Sequence, residues 1–297
     1  MSVRYLSLLT ARDVRWRSVD GAARHADLCS TTVPNVSATL TVWASAWLAG
    51  VAAPDNVLDA LTAWAPLHRV HAADRVAAGS TGLPGPDHGT VGPATLFAPL
   101  RAARDPEVRL VLPVAGDVRG LPAGTDFAAA ALEVGHAVLV PGAGMGLVPV
   151  PEGQEALRWK VFAVPITALP AEHLGLGEAE HLLRTAVRDG AQALLELDVA
   201  HGDRHVRGQI AAMLGARPRP DWPQGTPPRA LRVLDQADQV AAILQAAQHD
   251  SPGGARTAST AAAREQLLRP LCTAVRAARL AAVADAVRVL TAGRAAR

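Results

Sequence analysis

The chain has 297 residues, and its 29 basic and 27 acidic residues leave a formal net charge of +2. With 49% apolar and 19% charged residues it can bury a sizeable core, which excludes a disordered chain. The near-balance of charge argues against a nucleic-acid-binding face. Aromatic residues make up only 3%, so the core is built mainly of Ala, Val and Leu, side chains that suit closely packed helices. Lys160 is the single lysine and Tyr5 the single tyrosine. Asn, Ile and Phe are also scarce, and all of these residues share AT-rich codons. The arginine content therefore reflects a GC-rich genome, not a selected chemistry.

The N-terminal MSVRYLSLLTARDVRWR combines a short apolar run with early charges, which does not fit a signal peptide. The expectation is a cytoplasmic protein, with Cys29 and Cys272 as reduced thiols. No second cysteine lies near either one to make a metal or redox motif. Leu28 to Pro54 carries no charge and approaches the length of a membrane span. Its many Ser and Thr residues, Pro34 and Gly50 argue instead for a buried helix over about Ser37–Ala49. Ser37 would be near its N-cap, and Val36, Leu40, Trp43 and Trp47 would form one apolar face.

A second helix follows from Pro54 to Pro66, and a short strand at Leu67–His71. Gly79–Pro93 is too rich in Gly and Pro for regular structure; it reads as a surface loop, with a functional lid as the alternative. PATLFAPLRAAR suggests a helix limited by Pro99. Val108–Val114 is the clearest strand. Thr125 caps a short helix that stops at Gly135. HAVLV, LVPV and Leu157–Val164 follow as strands, and Pro149 with Pro151 pushes the LVPV strand towards a sheet edge. Beyond these strands the chain reads as helical, broken by Ala216–Pro228 and HDSPGGAR, and Pro270 must kink or restart the last helix.

The glycines of HAVLVPGAGMGLVPVP do not make a phosphate loop. Gly142, Gly144 and Gly146 give GxGxG, not GxGxxG, and the prolines that follow forbid the helix whose N-terminus would meet a pyrophosphate. They read as a connection between antiparallel strands. There is no GxSxG elbow, and no catalytic residue can be named. His201 and His205, four apart, could share a helix face and hold a metal, but Gly202 between them weakens that helix. The expectation is no metal and no resident cofactor.

Two sets of candidate site residues remain. The Gly116–Thr125 loop offers Asp117, Arg119, Thr125 and Asp126 as ligand-binding residues at a strand end and a helix N-terminus. The competing reading has Asp117 paired with an arginine. The C-terminal helix offers Arg269, Arg276, Arg279 and Arg288 for a protein partner, or for the acids of a neighbouring helix, Asp235 and Asp238.

The expected fold is α+β: helix-rich, with a small mixed or mostly antiparallel central sheet and a helical C-terminal region. Residues 1–170 form the α+β region and residues 171–297 the helical region. The expected function is that of a non-enzymatic binding, regulatory or self-associating protein. The alternative is a small-molecule-binding protein or enzyme whose pocket lies near the Gly116–Thr125 loop and the Gly79–Pro93 loop. Partners would be a second copy or another protein, with neither nucleic acid nor membrane involved.

Overall fold

The computed structural model describes residues 36–103, 107–153, 155–165, 174–196 and 218–249, the helical positions 208, 212 and 215, and residues 258–292. Its elements are α1 (Val36–Leu48), α2 (Pro54–Thr62), β1 (Leu67–Ala72), α3 (Arg75–Thr81), a 3₁₀ turn (Pro93–Leu96), α4 (Phe97–Ala102), β2 (Arg109–Val111) and α5 (Asp126–Val134). There follow β3 (Ala137–Val140), β4 (Met145–Glu152), β5 (Ala156–Ala163), α6 (Leu176–Glu196), α7 (Pro228–His249) and α8 (Ala258–Ala292). The fold is α+β. Its five-stranded sheet has the order β1-β5-β4-β3-β2. Only β1 and β5 run parallel; the other neighbours are antiparallel.

Helix α1 organises the molecule. Every residue from Val36 to Trp47 is buried, so the uncharged stretch is an all-round core helix. No helix among the described residues is long and apolar enough to cross a membrane. The expected face of Val36, Leu40, Trp43 and Trp47 packs on the sheet and α2. A second face, Ala38, Val42 and Ala46, packs on the C-terminal helices. Burial on both sides would strand the hydroxyls of α1 without local partners. Thr41 Oγ1 therefore donates to the Ser37 carbonyl (2.7 Å), and Thr39 Oγ1 accepts from Trp64 Nε1 (2.9 Å). Ser37 is not the N-cap, since the helix begins at Val36; its hydroxyl meets His136 Nδ1 at 2.8 Å.

On the opposite face of the sheet α5 is capped as expected. The Thr125 side chain accepts from Ala128 N, and Gly135 takes the left-handed conformation at its end. The glycine-rich stretch is the β3–β4 connection, a 3₁₀ turn closed by Gly144 at φ 61°. Gly146 has a separate reason to be glycine: a Cβ there would lie 2.4 Å from the ring of Phe127 on α5.

Several expectations are corrected. β4 is central, not an edge. It tolerates Pro149 and Pro151 because β3 pairs only with Met145–Leu147, leaving the prolines beyond the doubly bonded stretch. Gly79–Thr81 belongs to α3, which Asp74 caps and Gly82 ends. The rest of that segment is tied to β1 through Ala72 N to the Pro84 carbonyl and the Val70–Val91 bridge, which covers the sheet edge. Helix α8 runs through Pro270. Gly190 lies inside α6 and lets Leu271 of α8 come close, since a Cβ there would meet Leu271 Cδ1 at 2.7 Å. Cys272 is disulfide-bonded, not a reduced thiol, and the other cysteine of the chain, Cys29, lies outside the described residues.

Candidate binding cleft

In the loop after β2 the charged residues pair with one another and with α8. Arg119 Nε and Nη2 donate to the two Asp117 carboxylate oxygens at 2.8 and 2.7 Å. The second oxygen also receives Arg276 Nη2 from α8. Arg276 Nη1 donates to the Leu112 carbonyl at 3.3 Å. Hydrogen bonds from Arg119, followed by the hydrogen bond and charge of Arg276, hold the Asp117 carboxyl well below the usual range despite its partial burial. Thr125 is occupied as the cap of α5, and Asp126 puts a negative charge in the first turn. That charge complements the helix dipole and opposes an incoming anion.

The Gly79–Pro93 segment lies along β1, and Asp117 follows β2 at the other edge of the sheet. Four strand spacings of about 4.8 Å separate those edges. The two loops therefore do not share a pocket.

The C-terminal arginines divide. Arg276 and Arg279 are buried, at 7% and 3% exposure, and serve internal pairs. Arg279 Nε and Nη2 donate to Asp238 Oδ1 of α7 at 2.9 and 2.7 Å. Arg288 is exposed and pairs with Asp285 one turn earlier. Arg269 is exposed. The joining of Asp117 to Arg276 is a contact between residues 159 apart, which local sequence patterns do not carry.

Three buried histidines are held neutral. His68 Nε2 donates to the Leu61 carbonyl (2.8 Å) while its Nδ1 accepts from Trp159 Nε1 (3.1 Å), so burial and its bonding fix one tautomer. His71 is lowered by burial and then by the charges of Arg158 and Lys160. His136, at the entry to β3, is pushed down to about 4 by burial and by the charge of Arg279. Its contact with Ser37 has the spacing of a nucleophile–base pair, but Ser37 is fully buried, so no substrate reaches that hydroxyl. His201 and His205 lie outside the described residues. Among the described residues no three His, Cys, Asp or Glu side chains are grouped to hold a metal.

The cavity of interest lies elsewhere. A cleft of about 470 Å³ opens between α1, α7, α8 and the extended chain that leads into α7. The helices contribute Thr39, Leu231, Leu234, Asp235, Asp238, Gln239 and Arg279. Trp64 follows α2, and Pro218, Arg219, Pro220 and Trp222 come from the extended chain. That chain is fixed on α1 by Trp43 Nε1, which donates to the Asp221 carbonyl at 2.8 Å. Two indoles and aliphatic side chains thus stand beside the buried guanidinium of Arg279 and its half-buried partner, Asp238. The lining mixes these apolar groups with the charged side chains of Arg219, Asp235, Asp238 and Arg279.

Over most of its length the chain matches two domains of one family. The N-terminal domain of Rv1486c-like proteins matches residues 37–173, and their C-terminal domain matches residues 177–280. It is 43% identical over 275 residues to Rv1486c of Mycobacterium tuberculosis, covering 83% of this chain and 95% of the relative. The chain belongs to the Rv1486c-like family. Other relatives in the family are ML1804 of Mycobacterium leprae, 40% identical, and MAV321 of Mycobacterium avium, 36% identical, each with the same 83% and 95% coverage. These relatives bear locus names alone and carry no activity over to this chain. No solved structure matches it. The cleft draws on both matched spans: Thr39 and Trp64 come from the first, and Trp222, Asp238 and Arg279 from the second.

Proposed function

We propose that this protein is a small-molecule-binding protein whose site is the cleft between α1, α7, α8 and the Pro218–Trp222 segment. The observation that carries the reading is the cavity itself. An open cleft of about 470 Å³ lies where the two matched spans meet, with Trp64 and Trp222 beside the Arg279–Asp238 pair. The chemistry suits a planar, largely apolar molecule with one polar group. The indoles offer flat apolar surface, and Asp238 and Gln239 offer polar contacts. The pocket of the Gly116–Thr125 loop is replaced by this one, because Asp117 and Arg119 are spent on ion pairs with each other and with Arg276.

The test is a titration with 1-anilinonaphthalene-8-sulfonate, an anionic probe with a flat naphthalene ring, of the native protein and of Leu231→Trp. Leu231 is half-buried in the lining, so a larger side chain there fills the cleft and spares the core. Saturable one-to-one binding that falls at least tenfold in the variant supports the reading. Equal binding by both proteins removes it.

Self-association is the second reading. It rests on the helical layer, where Ile243 of α7 and Val289 of α8 are 49% and 37% exposed and Arg269 and Arg288 lie on the surface. Size-exclusion chromatography with light scattering tests it: a dimer dispersed by Ile243→Glu supports it, and a monomer at all concentrations ends it.

A further inference from the structure

The sheet face that carries α5 is covered unevenly. Phe127 of α5 sits on Gly146 of β4, over the β3–β4 half of that face. That cluster reaches Phe162 of β5 and Val164 beyond it, and it includes no residue of β1 and neither Arg158 nor Lys160. Register places His71 beside Lys160 and Arg69 beside Arg158. The alternation of strands puts all four on the same face, because Val70, Ala72, Trp159 and Val161 point into the core under α1.

The polar atoms there are unusual. Only three buried side-chain nitrogens or oxygens among the described residues lack a hydrogen-bond partner, and two of them are His71 Nδ1 and Arg158 Nε. They sit on adjacent strands of the same face, His71 opposite Lys160 and Arg158 two residues before Lys160, a diagonal pair across the sheet. His71 is only 7% exposed, so its unmet nitrogen is not simply bathed in solvent. A buried donor without an acceptor is costly, and such a group in a native structure calls for an explanation. The charges point to one. Glu152 accepts from both Arg69 and Arg158, and no carboxylate among the described residues pairs with Lys160. Three cations against one carboxylate leave two positive charges on this half of the sheet.

We infer that the β1–β5 face is a second binding site, one that takes the phosphate dianion of a small phosphomonoester between Lys160, Arg158 and His71. The Lys160 ammonium and the Arg158 Nε–H are cationic donors. The His71 Nδ1–H is a neutral donor in the tautomer that carries its proton there. Two net positive charges match the charge of a phosphomonoester. The site shares no residue with the cleft, so either can fail without the other.

Lys160 is also the reporter, as the single lysine of the chain. Reductive methylation with ¹³C-formaldehyde marks it and the α-amino group only, and keeps the charge. Titration of the full chain with inorganic phosphate and with glycerol phosphate, against sodium chloride at matched ionic strength, is expected to move the Lys160 resonance saturably. The α-amino resonance should not follow. Arg158→Gln should weaken the apparent Kd at least tenfold, the loss of one charge-assisted hydrogen bond. In a thermal-shift assay on unmethylated protein, phosphate should raise the Tm of the native chain and not that of Lys160→Gln, whose half-exposed position tolerates the change. A linear drift shared by both resonances and reproduced by chloride overturns the proposal. So does saturation that survives Arg158→Gln, or binding only to vesicles of phosphatidylcholine with phosphatidic acid and not to the soluble phosphates.

Discussion

The guanidinium of Arg276, on the C-terminal helix, is anchored to the carboxylate of Asp117, in the loop after β2. Arg276 is 9% exposed in its side chain and Asp117 is 20% exposed, so the pair is largely withdrawn from water. Removing one partner of such a pair costs more than the pair contributes, because the other charge is left buried. Asp117→Ala should destabilise the protein by about 3 kcal/mol. Arg119→Ala, which removes a partner that is 71% exposed in its side chain, should cost under about 1 kcal/mol. Urea denaturation of both variants checks the ordering, and equal losses would refute the anchoring role of Arg276.

The same pair gives an acid-sensitive contribution to stability. The Asp117 carboxyl is depressed in the folded state, so its contribution is complete above the carboxylate's ordinary pKa of about 3.9. It is lost as the pH falls through the folded-state value. Asp117→Asn should therefore flatten the stability profile below about pH 4 and leave its slope near neutrality unchanged. Denaturation midpoints measured from neutral to strongly acidic pH decide this.

His136 acts in a higher window. Its folded pKa of about 4 lies below the ordinary value of 6.5, so between those limits the unfolded chain binds the extra proton. Stability should rise with pH across that interval and level off above it, by about 3 kcal/mol in total. His136→Gln, which preserves a hydrogen bond to Ser37, should remove most of that slope. A profile that is unchanged in the variant would assign the slope to other groups.

Gly146 should be intolerant of any side chain. The nearest atoms to its Cβ would be those of the fully buried Phe127 ring. Gly146→Ala should cost on the order of 2 kcal/mol through overpacking, and Phe127→Leu in the same chain should recover part of it. Additive losses in the double variant would mean that the two residues do not press on each other.

What could be read from the sequence was local. Periodicity located α1, α2 and α5, the Thr125 cap and Gly135 stop are adjacent signals, and the glycines of the β3–β4 connection have no helix after them. Nearly every reading that failed depended on tertiary context. Pro149 and Pro151 suggest an edge, but whether a proline costs a ladder bond depends on how far the neighbouring strand extends. Arg276 and Arg279 look like a solvated basic stripe until α7 and the β2 loop are laid beside them. The cleft was invisible for the same reason, since Thr39, Trp64, Trp222, Asp238 and Arg279 share no motif and meet only when α1 is buried between the sheet and the C-terminal helices. His71 and Arg158 were missed because a strand pairing, not a spacing, makes them neighbours.

The most direct test of the cleft is native mass spectrometry of the protein as purified, without added ligand, beside Leu231→Trp prepared in the same way. The binding reading expects a retained small molecule on the native chain and its loss from the variant, with the assembly size unchanged. A bare native chain, or the same retained mass on both proteins, would contradict it.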